Sequence, residues 1–484
     1  MIREPFPEPT EIDDPVRSRT LFGRLALPGG SQHPAWVELS HRERAPSPIT
    51  CRVRYPEPLP ERHVVPYGEN RELWFNLETP YTGSLRLHLL GPGTYGSHDA
   101  KLSCGTFDLL DPQPTVPAGS RVRVSAYLTS TGFLLYRTNR QVNFDGTIER
   151  VGQEWPLLSW ERDGAQHWLQ VGHDTRTVMD GSHPGLLLSQ RPLLRVEFEQ
   201  TSDQSLTGLL DQVVASLELP LVLFSLLSRR TIEWFDLSVH VATPGGEWIE
   251  ARRRSDPPFF EPTGRDERPL FREHELVDGR FDEMLRGLEN CIGQTDIVRS
   301  VRYLLGSYRN DTVDTNFLLA VSALETLVNA LEKTSPMGDH LGIDWKVLVR
   351  ALNRVARCYC RRRGLSTSVS DMLQSKIAEL RRPSFTSKAK HHLQRLGVDT
   401  SGLWLNYRTA VDHFSDGLAT AYKTRSALVH NTSINDLGRL ISDLARVQCL
   451  LERAVLRVLG DYRPHISEAL VAARYRSKRS PSGL

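Results

Sequence analysis

Phe317-Leu-Leu-Ala-Val-Ser-Ala-Leu-Glu-Thr-Leu-Val-Asn-Ala-Leu331 places apolar residues at Leu318, Val321, Leu324, Leu327, Val328 and Leu331, the three-or-four spacing of a single helix face. No glycine or proline interrupts it, so the stretch predicts a helix that buries one side in a bundle core. A second stripe runs through Leu437, Leu440, Ile441, Leu444, Val447, Leu451, Ala454, Val455 and Val458, with Ser433 and Asp436 placed to cap its start.

The other half of the chain has a different period. Ser84-Leu-Arg-Leu-His-Leu89, Arg121-Val-Arg-Val124 and Leu194-Arg-Val-Glu-Phe198 alternate apolar and polar residues between Pro, Gly, Asp and Asn, the pattern of antiparallel strands. Within it, Leu206, Leu209, Leu210, Val213, Leu217, Leu221 and Phe224 return at helical spacing, which predicts one helix or a broken helical pair near 205–229 packed on the sheet. An aromatic strand is expected from Thr231 to Val241. The chain is thus expected to be an α+β multidomain protein, a β-rich N-terminal half followed by an all-α bundle.

At 484 residues, at least two separately packed cores are required. The expected layout is a tail at 1–20, the β-rich domain at 21–254, a Pro-rich linker at 255–277, a helical domain at 278–460 and a basic tail at 461–484. A net charge of +2, with 24% charged residues, gives no whole-protein field toward one partner. Six scattered cysteines without a C-x-x-C pair point to neither a disulfide framework nor a zinc site, so a reduced cytoplasmic setting, no metal and no cofactor are expected. Met1 to Pro15 lacks the apolar core of a secretory signal. The run Leu217–Leu227, broken by Glu218, Pro220 and Ser225, reads as too short for a bilayer span, so no membrane partner is expected.

Charge is concentrated locally. Between Trp345 and Thr400 there are thirteen Lys or Arg against three Asp or Glu, a net +10. Arg350, Arg354, Arg357 and Arg361 would share one helix stripe, continued by Arg362 and Arg363. Such a stripe can track an RNA backbone, and Arg354, Arg357, Arg361, Arg362 and Arg363 are the expected phosphate contacts. A solvated helix face is the competing interpretation.

Tyr422-Lys-Thr-Arg-Ser-Ala-Leu-Val-His430 lies between the two long apolar stripes. A histidine titrating near neutral pH can take the proton of a ribose 2′-hydroxyl or protonate the leaving oxygen, and a guanidinium can hold the charge of the phosphorane. Five residues along a regular helix separate side chains by about 140°, so Arg425 and His430 converge only where the helix ends near His430. The residues alone also allow a surface salt bridge for Arg425 and a satisfied helix-end histidine at His430.

This segment resembles the signature of the HEPN ribonucleases, an Arg, usually a polar residue, and a His after four to six intervening positions. Arg425, Ser426 and His430 match it, with Ser426 where Asn is the commoner family choice. The family tends to carry an acidic residue on an earlier helix, and Glu325 matches that position, where it would orient Arg425 or His430. The order of a β-rich half and a HEPN-like half is also similar to the ApeA type of anti-phage defence enzyme. The resemblance implies a homodimer whose protomers each give one Arg and one His to a shared cleft. It also implies metal-independent, abortive cutting of RNA, with transfer RNA among its targets, and an N-terminal half that senses a phage trigger. A non-catalytic module that binds RNA, nucleotide or protein is the rival expectation.

Three other patterns carry less. Gly91-Pro-Gly-Thr-Tyr-Gly96 reads as a hairpin loop rather than a dinucleotide site. His391-His392 is assigned to the basic segment because adjacent side chains diverge on a helix. Asp412, His413 and Asp416 lie near the motif in sequence without a defined part.

Overall fold

The computed structural model describes residues 16–26, 32–42, 49–56, 72–79, 82–90, 94–95, 99–112, 115–129, 140–142, 148–150, 158–162, 164–180 and 183–255 of the β-rich half. Beyond it, residues 270–271, 276, 279–291, 295–308, 312–336, 345–379, 384–406, 411–412, 414–430 and 436–461 are described. The chain divides into two compact units, Met1–Asp282 and Glu283–Leu484. The first is β-rich and the second helical.

The first unit begins with strands β1 (Val16–Ala26), β2 (Gln32–Arg42), β3 (Ile49–Arg54), β4 (Glu72–Thr79), β5 (Gly83–Leu89), β6 (Thr94–Tyr95) and β7 (Asp99–Leu110). β8 (Thr115–Val116), β9 (Arg121–Leu128), β10 (Arg140–Val142), β11 (Ile148–Arg150), β12 (Leu158–Arg162), β13 (Ala165–Asp180), β14 (His183–Glu199) and β15 (Gln204–Ser205) follow. Helix α1 (Leu206–Ser228) and strands β16 (Trp234–Ala242) and β17 (Trp248–Ser255) complete it.

All pairings are antiparallel, and the chain β7-β3-β2-β1-β4-β5 closes on itself because β5 also pairs with β7. Alternation explains what fills this barrel. Ile49, Cys51 and Val53 of β3 and Leu85, Leu87 and Leu89 of β5 point into one apolar cluster with Leu25, Val37, Phe75, Leu102 and Phe107. Gly23 sits at a register shift between β1 and β4, where an added Cβ would lie 2.3 Å from the Asn76 carbonyl oxygen. Only glycine fits there.

The same strand β7 continues into an open sheet of order β12-β13-β14-β9-β16-β17-β7. Val124, Val196, Leu237 and Val239 bury one face of this sheet. α1 belongs to the core of the same unit, through Leu209, Leu210, Val213, Leu217 and Phe224. Phe224, Trp160 and Phe281 form an aromatic knot with ring centroids 4.8–6.1 Å apart. The helix is single and unbroken despite Pro220, starts at Ser205, whose hydroxyl accepts from the Gly208 N–H at 3.1 Å, and stops at left-handed Arg229. By length and composition alone α1 could cross a bilayer, but 56% of its most apolar window is buried inside the protein.

Asp108, fully buried on β7, accepts two hydrogen bonds from Arg253 of β17 at 2.7 and 2.9 Å, and Arg253 also reaches Asp211 of α1 at 2.8 Å. Of the stretch 255–277 expected as linker, residues 256–269, 272–275 and 277 lie outside the described residues. Leu270, Phe271 and Leu276 are buried, and the Leu270 N–H donates to the Leu227 carbonyl. Of Gly91-Pro-Gly-Thr-Tyr-Gly96, Thr94 and Tyr95 form β6 against β7 and the rest lies outside the described residues.

The described helices around and beyond the division are α2 (Arg280–Asn290), α3 (Thr295–Gly306), α4 (Val313–Thr334), α5 (Trp345–Arg362), α6 (Thr367–Glu379), α7 (Phe385–Arg395), α8 (Phe414–His430) and α9 (Leu437–Val458). The short strands β18 (Leu405–Asn406) and β19 (Val411–Asp412) pair with each other. α4 is the centre of the helical unit and packs on α3, α7, α8 and α9. Its Val321, Leu324, Leu327 and Val328 are buried, whereas Leu318 and Leu331 are partly covered. In α9 the stripe is displaced at its start: Leu437 and Ile441 are exposed, and the buried line begins at Leu440. Asp436 caps it, accepting from the Arg439 N–H at 2.9 Å, while Ser433 lies outside the described residues. Two carboxylates are buried on α9, Asp443 paired with Arg446 and Glu452 accepting from the Tyr308 hydroxyl.

Burial pushes the Asp108 carboxyl up, but Arg253 and the nearby His88 ring outweigh it and hold the group below the ordinary Asp value. A lowered carboxylate stabilises the fold at pH above its unfolded value of about 3.9, and that contribution is lost as pH falls through the lower folded value. Asp108→Asn should therefore destabilise unit 1 by about 3 kcal/mol at neutral pH, the low end for a broken buried pair because Arg253 keeps Asp211. Urea unfolding at pH 7 and near pH 3 would check this, the difference between variant and wild type shrinking at the acid end.

Candidate functional site

α8 is fixed by small and aromatic contacts. Leu418 and Ala421 are buried, and a Cβ on Gly417 would run into the Trp404 ring at 2.0 Å. Phe385 of α7 stacks on Tyr422 with ring centroids 4.7 Å apart. These contacts turn the helix so that Tyr422 and Arg425, one turn apart, both meet Glu325 of α4.

Arg425 Nη2 lies 3.3 Å from Glu325 Oε2, with the two side chains 29% and 21% exposed. At that exposure the pair is neither a freely solvated surface contact nor a dry one, so its stabilisation is on the order of 1 kcal/mol. Arg425 Nε is buried with no hydrogen-bond partner among the described residues. Burial pushes the Tyr422 phenol above its usual value, the charge and hydrogen bond of Glu325 push it further, and Arg425 opposes them. Of the two partners expected for Glu325, Arg425 is the one it reaches. Ser426 does not point across the helix gap: its hydroxyl donates back to the Tyr422 carbonyl at 3.3 Å.

His430 is exposed and is the last residue of α8. The helix is continuous from Arg425 to it, so within one chain the two side chains stay about 140° apart. Residues 431–435, expected to provide the break, lie outside the described residues, as does His413. In chain order, exposed apolar residues flank this end, Val429 at 52% before it and Leu437 at 58% and Ile441 at 38% after it.

A second ionisable contact is absent from the sequence expectation. His392, assigned there to the solvated basic segment with His391, is instead 1% exposed, and its Nε2 lies 2.7 Å from Glu332 Oε2 of α4. The reason is the amphipathy of α7, whose Ala389, His392 and Leu393 form its buried side. Glu325 and Glu332 are seven residues apart on α4, which puts them on one side of the helix, so α8 and α7 each meet α4 through a carboxylate. The Glu-x6-Glu spacing beside the apolar stripe of α4 was the available signal.

Arg350, Arg354, Arg357, Arg361, Arg362 and Arg363 are all exposed on or just after α5. Asp416 is exposed in the first turn of α8. Among the described residues no group of three or more His, Cys, Asp and Glu is placed to hold a metal ion.

Comparison with protein-family models, with curated proteins and with solved structures finds no match to this chain.

Replacing Glu325 by Gln removes the negative charge beside Tyr422 while keeping the shape of the side chain. One of the 13 tyrosines should then ionise at lower pH, an outcome read from the ultraviolet phenolate band. An unchanged titration curve would mean that Glu325 does not reach Tyr422 in solution.

Proposed function

We propose that the chain is a metal-independent endoribonuclease of the HEPN type, acting as a homodimer in which Arg425 and His430 of both copies meet in one cleft. The observation that carries this proposal is the half-buried Arg425, ion-paired with Glu325, on the same helix as an exposed terminal His430. The exposed Val429 in the last turn of α8 and the exposed Leu437 and Ile441 at the start of α9 favour contact with a second copy, because such side chains gain by leaving water. Among the described residues Arg425 has one ion-pair partner, Glu325, and keeps donors for a phosphate.

The proposed step needs only these groups. One His430 takes the 2′-hydroxyl proton, the freed oxygen attacks the adjacent phosphorus, and the bond from phosphorus to the 5′-oxygen breaks. The His430 of the second copy gives that oxygen a proton, while the guanidinium groups hold the charge on the equatorial oxygens. The products are a 2′,3′-cyclic phosphate and a 5′-hydroxyl. RNA, with transfer RNA included, is the proposed substrate, and the β-rich unit is the proposed sensor of a phage trigger.

The rival, a non-catalytic binding module, is favoured by one observation: within a single chain Arg425 and His430 do not converge. The two differ in what happens to RNA. Incubation of the purified protein with total RNA in EDTA should leave fragments with 2′,3′-cyclic phosphate ends, whereas intact RNA, or 5′-phosphate ends made only with added Mg²⁺, would overturn the proposal.

Side chains that act on one phosphate as a unit are not additive. Arg425→Ala and His430→Ala should each reduce cleavage by on the order of 10²-fold or more, with the double variant little worse than either. Melting curves and gel filtration on the same samples separate lost chemistry from a lost dimer. Near-wild-type cleavage by a folded His430→Ala dimer would leave His430 as a plain helix-end histidine and overturn the step proposed for it.

A further inference from the structure

The hairpin of α5 and α6 is an unusual surface. In α5 the sole buried residue is Cys360, and α5 contains no acidic residue. Around its exposed side run two seams. One is apolar: Val347 is 55% exposed, Val355 65% and Tyr359 54%, at four-residue steps through exposed Ala351, with exposed Cys358 beside them. The other is cationic and made of Arg350, Arg354, Arg357 and Arg361. The seams are neighbours, about 110° apart around the helix and about 18 Å long. Leu365 in the turn and Met372 on α6 are also exposed, at 42% and 57%.

Each seam restricts the occupant. An RNA backbone would satisfy the arginines but gains nothing from Val355 or Val347, whose exposure to water is then left unrelieved. A second copy joined through the apolar seam would bring the adjacent arginine seams together with no carboxylate on α5 to offset them. An acidic protein groove closes around a helix, and α6 already covers part of α5. The surface of an anionic bilayer meets both demands at once, with lipid phosphates at the level of the arginines and the acyl boundary a few ångströms deeper for the aliphatic and Tyr side chains.

We infer that the α5–α6 hairpin docks on the surface of anionic lipid membranes, lying in the interface without spanning it. This inference is independent of the ribonuclease proposal, since it uses neither Arg425 nor His430. Both seams act together: each arginine near an anionic surface is worth about a fivefold gain in partition, and the apolar seam adds a contribution that salt does not screen.

The test uses the whole 484-residue chain and vesicle flotation, with phosphatidylcholine alone or mixed with phosphatidylglycerol. The wild type should float with the mixed vesicles and at least about tenfold less with neutral ones or at high salt. Replacing Arg350, Arg354, Arg357 and Arg361 together by Gln should weaken flotation by about tenfold or more. The double change Val355→Ser and Tyr359→Ser, made at exposed positions where folding is not at stake, should also abolish flotation and leave binding to single-stranded RNA unchanged. Absence of flotation by folded wild-type protein would overturn the inference. So would flotation that the Val355 and Tyr359 changes do not reduce and that RNA competes away, since the hairpin would then be a general polyanion surface with RNA as its occupant.

Discussion

A carboxylate drawn out of bulk water has to find a cation or hydrogen-bond donors, and helix α4 imposes that requirement twice on the side where its neighbours pack. Its apolar stripe draws α3 and α9 against it by burial, a force without direction. Glu325 and Glu332 add direction. Glu332 is met by His392, which sets how α7 lies, and Glu325 is met by Tyr422 and Arg425, which sets how α8 lies. Phe385 on Tyr422 then ties α7 to α8. The orientation of the residue proposed to hold the phosphate therefore follows from where two carboxylates fall on one central helix.

Much of this was legible in the chain. The three-and-four spacing at Val321, Leu324, Leu327 and Val328 specifies α4, and the alternation in Ser84–Leu89 specifies a strand, because both patterns record which side loses water. Asp436 marks a helix start for a local reason, a short side chain that reaches back to an orphan N–H. Closure of the barrel was not legible, since it depends on β5 finding β7 across more than a single turn, and no local pattern encodes which edges meet. Neither was the burial of His392, where residue type and charged surroundings pointed outward while the neighbours Ala389 and Leu393 pointed inward. Leu437 and Ile441 show the opposite error: helical periodicity reports a helix's apolar side but not how far along it the cover extends.

The candidate site was legible as residue types and only partly as geometry. Arg425, His430 and Glu325 could be named from the resemblance to the HEPN signature, whereas the approach of Tyr422 to Glu325 depends on the rotation of α8, which is fixed by Gly417 against Trp404 and by the ring stack with Phe385. Side chains in contact through tertiary packing leave little trace in the order of the chain.

The double membership of β7 has a consequence for motion. Its first half is hydrogen-bonded to β3 and its second half to both β5 and β17, so the barrel and the open sheet share one backbone rather than a hinge. Opening the barrel by local melting would strip the edge of the open sheet as well, and loosening that edge would expose the barrel interior. Amide protons on β7 should accordingly exchange only in the global opening of the unit, as slowly as any in the protein, and whatever event is felt at one end of this strand is delivered to the other as strain in a rigid ladder rather than as a relative swing of two bodies.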